Sequence, residues 1–408
     1  VLGGVFLAVT GAEALYADMG HIGARPIRRA WYGLVLPALV LNYAGQTGFV
    51  LAGGSVEDNI FYRLCPEGFL MPMIVLATLA TIIASQAIIT GAFSMTRQAI
   101  QLGWCPRLNV TQTSAGGFGQ IYVGSVNWML MIVTVAIAIA FGSSDHLAAA
   151  YGIAVSMTMW LTTTLLFVAM REVWKWNSAL SFAVAGVFLC IDLAFFAANF
   201  AKVHEGGWVP LLLATIIFGL MVIWRRGYNA TLRSINEKTV PVKEFIASLS
   251  SNKIVRVPGT AVFLTKTIGQ TPHLMMWHVE RNKCLYEQVV ALGVLTEEVP
   301  WVRGKGRYEV ELVAPNFWRI VARYGFMERP NIPFLLRQVK KALPELNIED
   351  VNYYVGRETV VARARNRGGL AIWQEAIYAF MQRNSAQVSD YFRLPCDSVV
   401  EVGRQVEI

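Results

Sequence analysis

Near its start the chain reads TGAEALYADMGH, from Thr10 to His21, and so sets carboxylates within apolar surroundings. Thr10, Glu13 and Tyr16 are three residues apart, and on a helix they line one stripe of hydroxyl, carboxylate and phenol oxygens. Oxygen donors are what a hard cation requires. Gly11 lies between the first two, where a permissive backbone can unwind and offer carbonyls as well. One reading is therefore a cation site at Thr10, Gly11, Glu13 and Tyr16. The other is that Glu13 caps the second half of a broken helix, whose free amides favour negative charge. Asp18 falls about 140° further round a helix than Glu13. Close to Gly20 and Arg25, it reads as a group near a membrane face paired with a basic residue. A further acid, Asp192 in FLCIDLAFFAANF, is either a coupling carboxylate or one side of a helix-to-helix hydrogen bond. Ser85 and Gln86 are weaker candidates for an ion path. Like Ser156, Thr158, Thr162, Thr163 and Thr164, they read first as packing residues, since hydroxyls in apolar helices commonly bond back to their own turn or join neighbouring helices.

The elements that must position these groups are greasy. Of 408 residues, 55% are apolar and only 15% charged, against roughly 25% charged in a soluble domain. The charge is also unevenly placed. The part before Arg225 holds nine basic and nine acidic residues, whereas the remainder holds 26 and 18 and with them the whole net charge of +8. A membrane span needs roughly 20 mainly apolar residues, and seven are expected, near 1–20, 30–53, 70–93, 121–141, 147–170, 179–200 and 208–224. Alternate connections carry ten Lys or Arg on one side and two on the other, which puts the first set, and everything after the seventh span, in the cytoplasm. Such a chain belongs in a plasma membrane, the inner membrane for a bacterium. The first residue is Val, and no basic region precedes the apolar run as a signal peptide would demand. The chain is accordingly expected to start inside a longer protein, without that protein's N-terminal spans.

Division into a membrane part, 1–236, and a cytoplasmic α/β part, 237–408, follows from the change in pattern. Short β-rich runs at 261–265, 289–296, 308–314 and 352–356 read as strands. Ile332, Leu335, Leu336 and Val339 form one helical stripe, and Leu370, Trp373, Ile377 and Phe380 form another. RGKGR (303–307) is no phosphate-binding loop, lacking the GK[ST] ending and its strand-to-helix setting, and reads as a solvated hairpin. Arg357, Arg363, Arg365 and Arg367 are a denser basic group, a candidate regulatory anion site for a nucleotide or for lipid headgroups, with an ordinary basic face beside the membrane as the plainer reading. Aromatic residues do not alternate with these arginines as nucleic-acid binding would need. The five cysteines are scattered without CxxC spacing or partnering histidines, and no catalytic motif is present. A transporter rather than an enzyme is indicated, with no cofactor.

The stretch TGAEALYADMGHIGARPIRRAW closely resembles the KUP/HAK/KT potassium uptake permeases. The resemblance continues through VLPALVLNYAGQ, ASQAIITGAFSMTRQAIQLGWCPRL and YVGSVNWMLM. It extends into the soluble part at VPGTAVFLT and HVERNKCLYEQVV, and to YFRLPCDSVVEVGRQVEI at the end. It implies the C-terminal seven spans of a twelve-span, inverted-repeat transporter of the amino acid/polyamine/organocation superfamily, followed by a cytoplasmic α/β domain. It also implies inward movement of potassium, usually with protons. By the same resemblance the family's ion-site Thr and Glu fall on Thr10 and Glu13 of a broken helix, the remaining ligands lying on spans absent from this chain. Potassium and protons are then the transported species, and membrane lipid and the missing spans are the partners. Dimerisation and a nucleotide regulator are left open. Two rivals remain: an amino-acid carrier of the same superfamily, and a membrane-anchored nucleotide sensor.

Overall fold

The computed structural model describes residues 2–8, 10–11, 14–15, 19, 22–55, 59–113, 121–236, 239–251, 254–265, 269–297, 299–302, 304–361 and 370–407. They form two compact units, one of residues 1–95 with 110–215, the other of residues 96–109 with 216–408. The units do not follow the change of composition at 236/237. The end of one long helix, the loop after it and most of another helix, from Ile216 on, all belong with the α/β part.

A short helix, α1 (Leu2–Ala8), opens the chain. Six helices long and apolar enough to cross a membrane follow among the described residues: α2 (Ala24–Leu51), α3 (Leu70–Gln101), α4 (Gly124–Phe141), α5 (Ser144–Glu172), α6 (Ser178–Phe200) and α7 (Trp208–Asn236). The expected span at 1–20 is represented by α1 and a break after it. Each of the other six expected spans holds one helix. Helices α3 and α7 overrun their expected inner ends at 93 and 224, because polar turns continue a helix without registering as apolar sequence. Local chemistry sets the remaining details. Pro37 lacks the N–H that would bond back to Gly33 and its ring crowds that carbonyl, and a π-helical turn over Trp31–Val35 absorbs the mismatch. Asn177 caps α6 by accepting from the Ala179 amide at 3.1 Å. Gly142, at φ 61°, ends α4 in the left-handed conformation. Strands β1 (Val110–Gln112) and β2 (Ile121–Val123) pair antiparallel before α4.

The second unit is built on a six-stranded sheet of β3 (Val255–Thr265), β4 (Cys284–Glu297), β5 (Tyr308–Ala314), β6 (Phe317–Gly325), β7 (Val351–Val361) and β8 (Val399–Glu407). Their order is β5-β6-β4-β3-β7-β8, with every pairing parallel except β5 against β6. On β3, Ala261 and Phe263 face α8 (Val242–Ser251) and α9 (His273–Asn282), while Val262 faces α10 (Ile332–Ala342). Both faces of the strand are covered, which explains its unbroken apolar run. The α10 stripe is wholly internal, with Ile332, Leu335, Leu336 and Val339 at most 2% exposed, and each such side chain contributes about 1.5–3 kcal/mol by leaving water.

Two expectations for this unit are corrected. RGKGR is not a hairpin, because β6 lies between β4 and β5; residues 304–307 form a short turn and Arg307 pairs with Glu328 at a partly buried position. The apolar stripe on α11 (Ile372–Arg383) is not its inner face. Glu375, Tyr378 and Ala379 are buried, as is Leu370 just ahead of the helix, while Trp373 and Phe380 are exposed. The physical reason is the neighbour: α11 packs on α7 through Ile223 and Trp224.

The end of α3 and the loop after it are held within this unit by hydrogen bonds and by an arginine over an aromatic ring. Arg97 donates to the Met327 carbonyl and Gln101 to that of Glu328, both at 2.6 Å. The Arg107 carbonyl accepts from Ala386 at 2.6 Å, and its guanidinium lies over the Tyr391 ring. Glu328 organises the opposite side, accepting from the amides of Gly325 at 2.7 Å and Val302 at 3.1 Å and from Arg307. Burial pushes its carboxyl up, but these donors outweigh burial and hold it below the usual carboxylate range.

Candidate functional site

Helix α1 ends at Ala8, and Thr10 and Gly11 are non-helical. Gly11 sits at φ 105°, a region that favours glycine. The half-buried Thr10 hydroxyl donates to the Leu7 carbonyl at 2.8 Å, which leaves its oxygen lone pairs free to accept from or ligate another group. Helical geometry resumes at Ala14 and Leu15, the Leu15 amide bonding the Gly11 carbonyl at 3.3 Å. A break of this kind frees backbone carbonyls that a continuous helix would use, and such opened turns are where membrane transporters hold small cations. Glu13, Tyr16 and Asp18 lie outside the described residues.

Helix α1 itself packs on α5 and α6, along a seam that includes polar groups. Phe6 on α1 packs on Phe195 of α6 with ring centres 5.2 Å apart. One turn further along α6, Asn199 is only 1% exposed. It occupies the notch made by two glycines: a Cβ on Gly3 would come within 3.3 Å of its Oδ1, and one on Gly152 within 2.4 Å. Its amide donates to the Phe195 carbonyl at 2.9 Å. Ser156 is fully buried and bonds back to Gly152 at 2.7 Å. Ser181, at the other end of α6, is buried too.

Asp192 lies in the same seam, 4% exposed, and accepts from the Thr163 hydroxyl at 2.5 Å. The hydroxyls of Thr158, Thr162 and Thr164 behave differently, each exposed and bonded to a carbonyl four residues back. Thr163 alone of this α5 group reaches a side chain on another helix among the described residues. Ser85 and Gln86 are both exposed on α3, Ser85 bonding back to Ile82 at 2.7 Å, and neither is brought to Thr10 or Asp192. The sequence reading did not single out Asn199. Its signal was the pair Gly3 and Gly152, small residues where helices approach closely, and that signal is visible only once the helices are paired.

In the second unit Arg357 is exposed on β7, with Glu401 of β8 at 4.0 Å. Arg363, Arg365 and Arg367 lie outside the described residues. One sequence statement is revised: Cys284 does have a histidine partner, His278 Nε2 standing 3.7 Å from its Sγ. Burial lowers the His278 pKa and so favours the neutral ring, which also meets Asn282 at 3.0 Å and the ring of Tyr354. This is a packed aromatic cluster. Among the described residues there is no group of three or more His, Cys, Asp or Glu placed to hold a metal.

Residues 1–229 match the family described as K+ potassium transporter integral membrane domain, and residues 258–408 match that described as K+ potassium transporter C-terminal domain. The chain is 58% identical over 408 residues to probable potassium transport system protein Kup 1 of Bradyrhizobium sp. (strain ORS 278), covering all of this chain and 65% of that protein. It is 51% identical to Kup 3 of Legionella pneumophila (strain Lens), again over the whole chain and 65% of the relative. Against Kup of Myxococcus xanthus (strain DK1622) the identity is 47%, over the whole chain and 62% of the relative. The chain thus spans a little under two thirds of the length of these relatives. Membrane helices and α/β unit alike match the two parts of one family, and the chain belongs to the K+ potassium transporter family.

Proposed function

We propose that this chain forms part of a potassium uptake path in which potassium moves together with protons. The observation that carries the reading is the break at Thr10 and Gly11, in a membrane chain of a potassium transporter family. The Thr10 hydroxyl oxygen and the opened carbonyls around Gly11 would supply ligands to potassium, with the Glu13 carboxylate and the Tyr16 phenol beside them in sequence. Glu13 would link the two ions, because burial favours the protonated carboxyl and an arriving cation favours the charged one. Asp18 and Asp192 are the other acids open to a proton. The test is potassium uptake in a host lacking its own uptake systems, using the gene with whatever it encodes upstream of Val1. Glu13→Gln is expected to lose potassium affinity or proton coupling. Uptake at normal affinity and normal coupling would overturn the role, and uptake of an organic solute indifferent to potassium would favour an amino-acid carrier.

A second reading concerns regulation, and sheet order favours it. Helix α9 connects β3 to β4 on one face, and α10 connects β6 to β7 on the other. The crossovers therefore reverse between β3 and β7, and in open α/β sheets ligands settle beyond the carboxyl ends of the strands at that point. The segment that follows β7 in the chain carries Arg363, Arg365 and Arg367, a basic set suited to a phosphate-bearing nucleotide. Replacing the three by Gln should abolish any nucleotide-dependent change in uptake while basal uptake persists; an unchanged nucleotide response would remove them from the site.

A further inference from the structure

We propose that α11 is an interfacial helix, its outer face of Ile372, Trp373, Ala376 and Phe380 seated in the boundary between headgroups and acyl chains of the inner leaflet. Three observations within the second unit lead there. The first is depth. Twenty residues of helix counted from Trp208 use up the roughly 30 Å of hydrocarbon and end at Gly227. At this level α11 is docked: the Tyr378 ring lies 5.2 Å from that of Trp224, and its hydroxyl is 3.2 Å from Thr231 Oγ1. A Cβ on Gly227 would come within 2.4 Å of the Tyr378 ring, so the approach is as close as a glycine permits. The second is the character of the outer face. Ile372, Trp373 and Phe380 are 60%, 59% and 62% exposed, lie on one side of the helix with Ala376, and are followed by exposed Arg383. The helix's one acid, Glu375, is turned inward at 1% exposed.

The third observation is continuity with the exposed apolar surface of α7. Ile216, Ile217, Phe218 and Leu220 of α7 are 39–63% exposed and stand one to two turns above the contact with α11, about 6–12 Å. Arg226 and Arg233 are exposed beside and below that contact, and no acid occurs between Trp208 and Asn236. Apolar side chains at the boundary with arginines on the wet side are what an interfacial helix requires. Tryptophan is enriched at that depth, and each arginine near anionic headgroups adds about 1 kcal/mol. The face therefore fits a lipid surface, not a polar protein partner. Through Tyr378 and Trp224, the α/β unit would sense the state of the leaflet around the last membrane helix.

The experiment uses the chain reconstituted in vesicles of phosphatidylethanolamine and phosphatidylglycerol, with its own cysteines replaced by Ser. A spin label is placed at Ala376→Cys or, for comparison, at Phe334→Cys on the exposed side of α10. At 376 the ratio of oxygen to water-soluble nickel-complex accessibility should exceed that at 334 several-fold, and adding Trp373→Glu with Phe380→Glu should erase the difference. Equal ratios at the two positions overturn the proposal. So does a label at 376 shielded from both reagents until the protein is diluted in lipid, which would mean that a second copy covers the face.

Discussion

Asp192 and Thr163 show what a single intramembrane hydrogen bond can decide. The pair is almost fully buried, and the Thr163 hydroxyl on α5 gives the Asp192 carboxylate a polar partner across the two helices. Thr163→Val should therefore cost about 1 kcal/mol of helix association, within the range of such bonds between membrane helices, read as a lower unfolding midpoint in detergent. Asp192→Asn keeps a partner for Thr163 and should leave that midpoint unchanged. If it also leaves proton coupling unchanged, Asp192 serves to join α5 to α6. At this scale the sequence was legible where chemistry is rare: an acid in an apolar run announces itself, and Asp192 was found that way. Choosing Thr163 from a run of similar hydroxyls was not possible, because all five share the same composition of surroundings. Only the facing helix separates the one that crosses from those that bond back.

Elements were legible in proportion to how directly they pack on the sheet. The edge strand β5 alternates in burial from Tyr308 to Glu311, and its bounds at 308–314 match the expected ones. Helix α10 lies flat on the sheet, and Ile332, Leu335, Leu336 and Val339 of its apolar stripe are all internal. Strand β6 went unread because Arg319 and Arg323 interrupt it, although each finds a carboxylate, Glu311 for the first and Glu297 with Glu309 for the second. Helices α8 and α9 are only ten residues each, too short for periodicity to stand out. The turn around Glu328 carries a prediction of its own. Its carboxyl titrates below the usual carboxylate range when folded, so its stabilising effect is complete above the unfolded value and is lost as pH falls through the lower folded one. Acid should loosen the contacts of Met327 and Glu328 with Arg97 and Gln101 first. Hydrogen exchange at Gly325 and Val302 should rise on acidification in the native protein and already be high at neutral pH in Glu328→Gln.

Across the whole molecule, the distribution of charge predicts an orientation rather than a partner. The surplus of basic residues lies from Arg225 onward and continues the bias of the inner loops. A fluorescent protein fused after Ile408 should be bright, and alkaline phosphatase fused at Ser144, in a connection without Lys or Arg, should be active; the opposite pattern would invert the topology. The sheet order has a consequence in time. Strand β3 pairs with both β4 and β7, and β7 is made long after β3, so the central strand waits at the ribosome with one edge open. Strand β8 then supplies the outermost partner of β7 and is made later still. A premature stop at Val399 would spare the described membrane helices yet leave β7 as a bare edge, a surface on which unfinished chains collect.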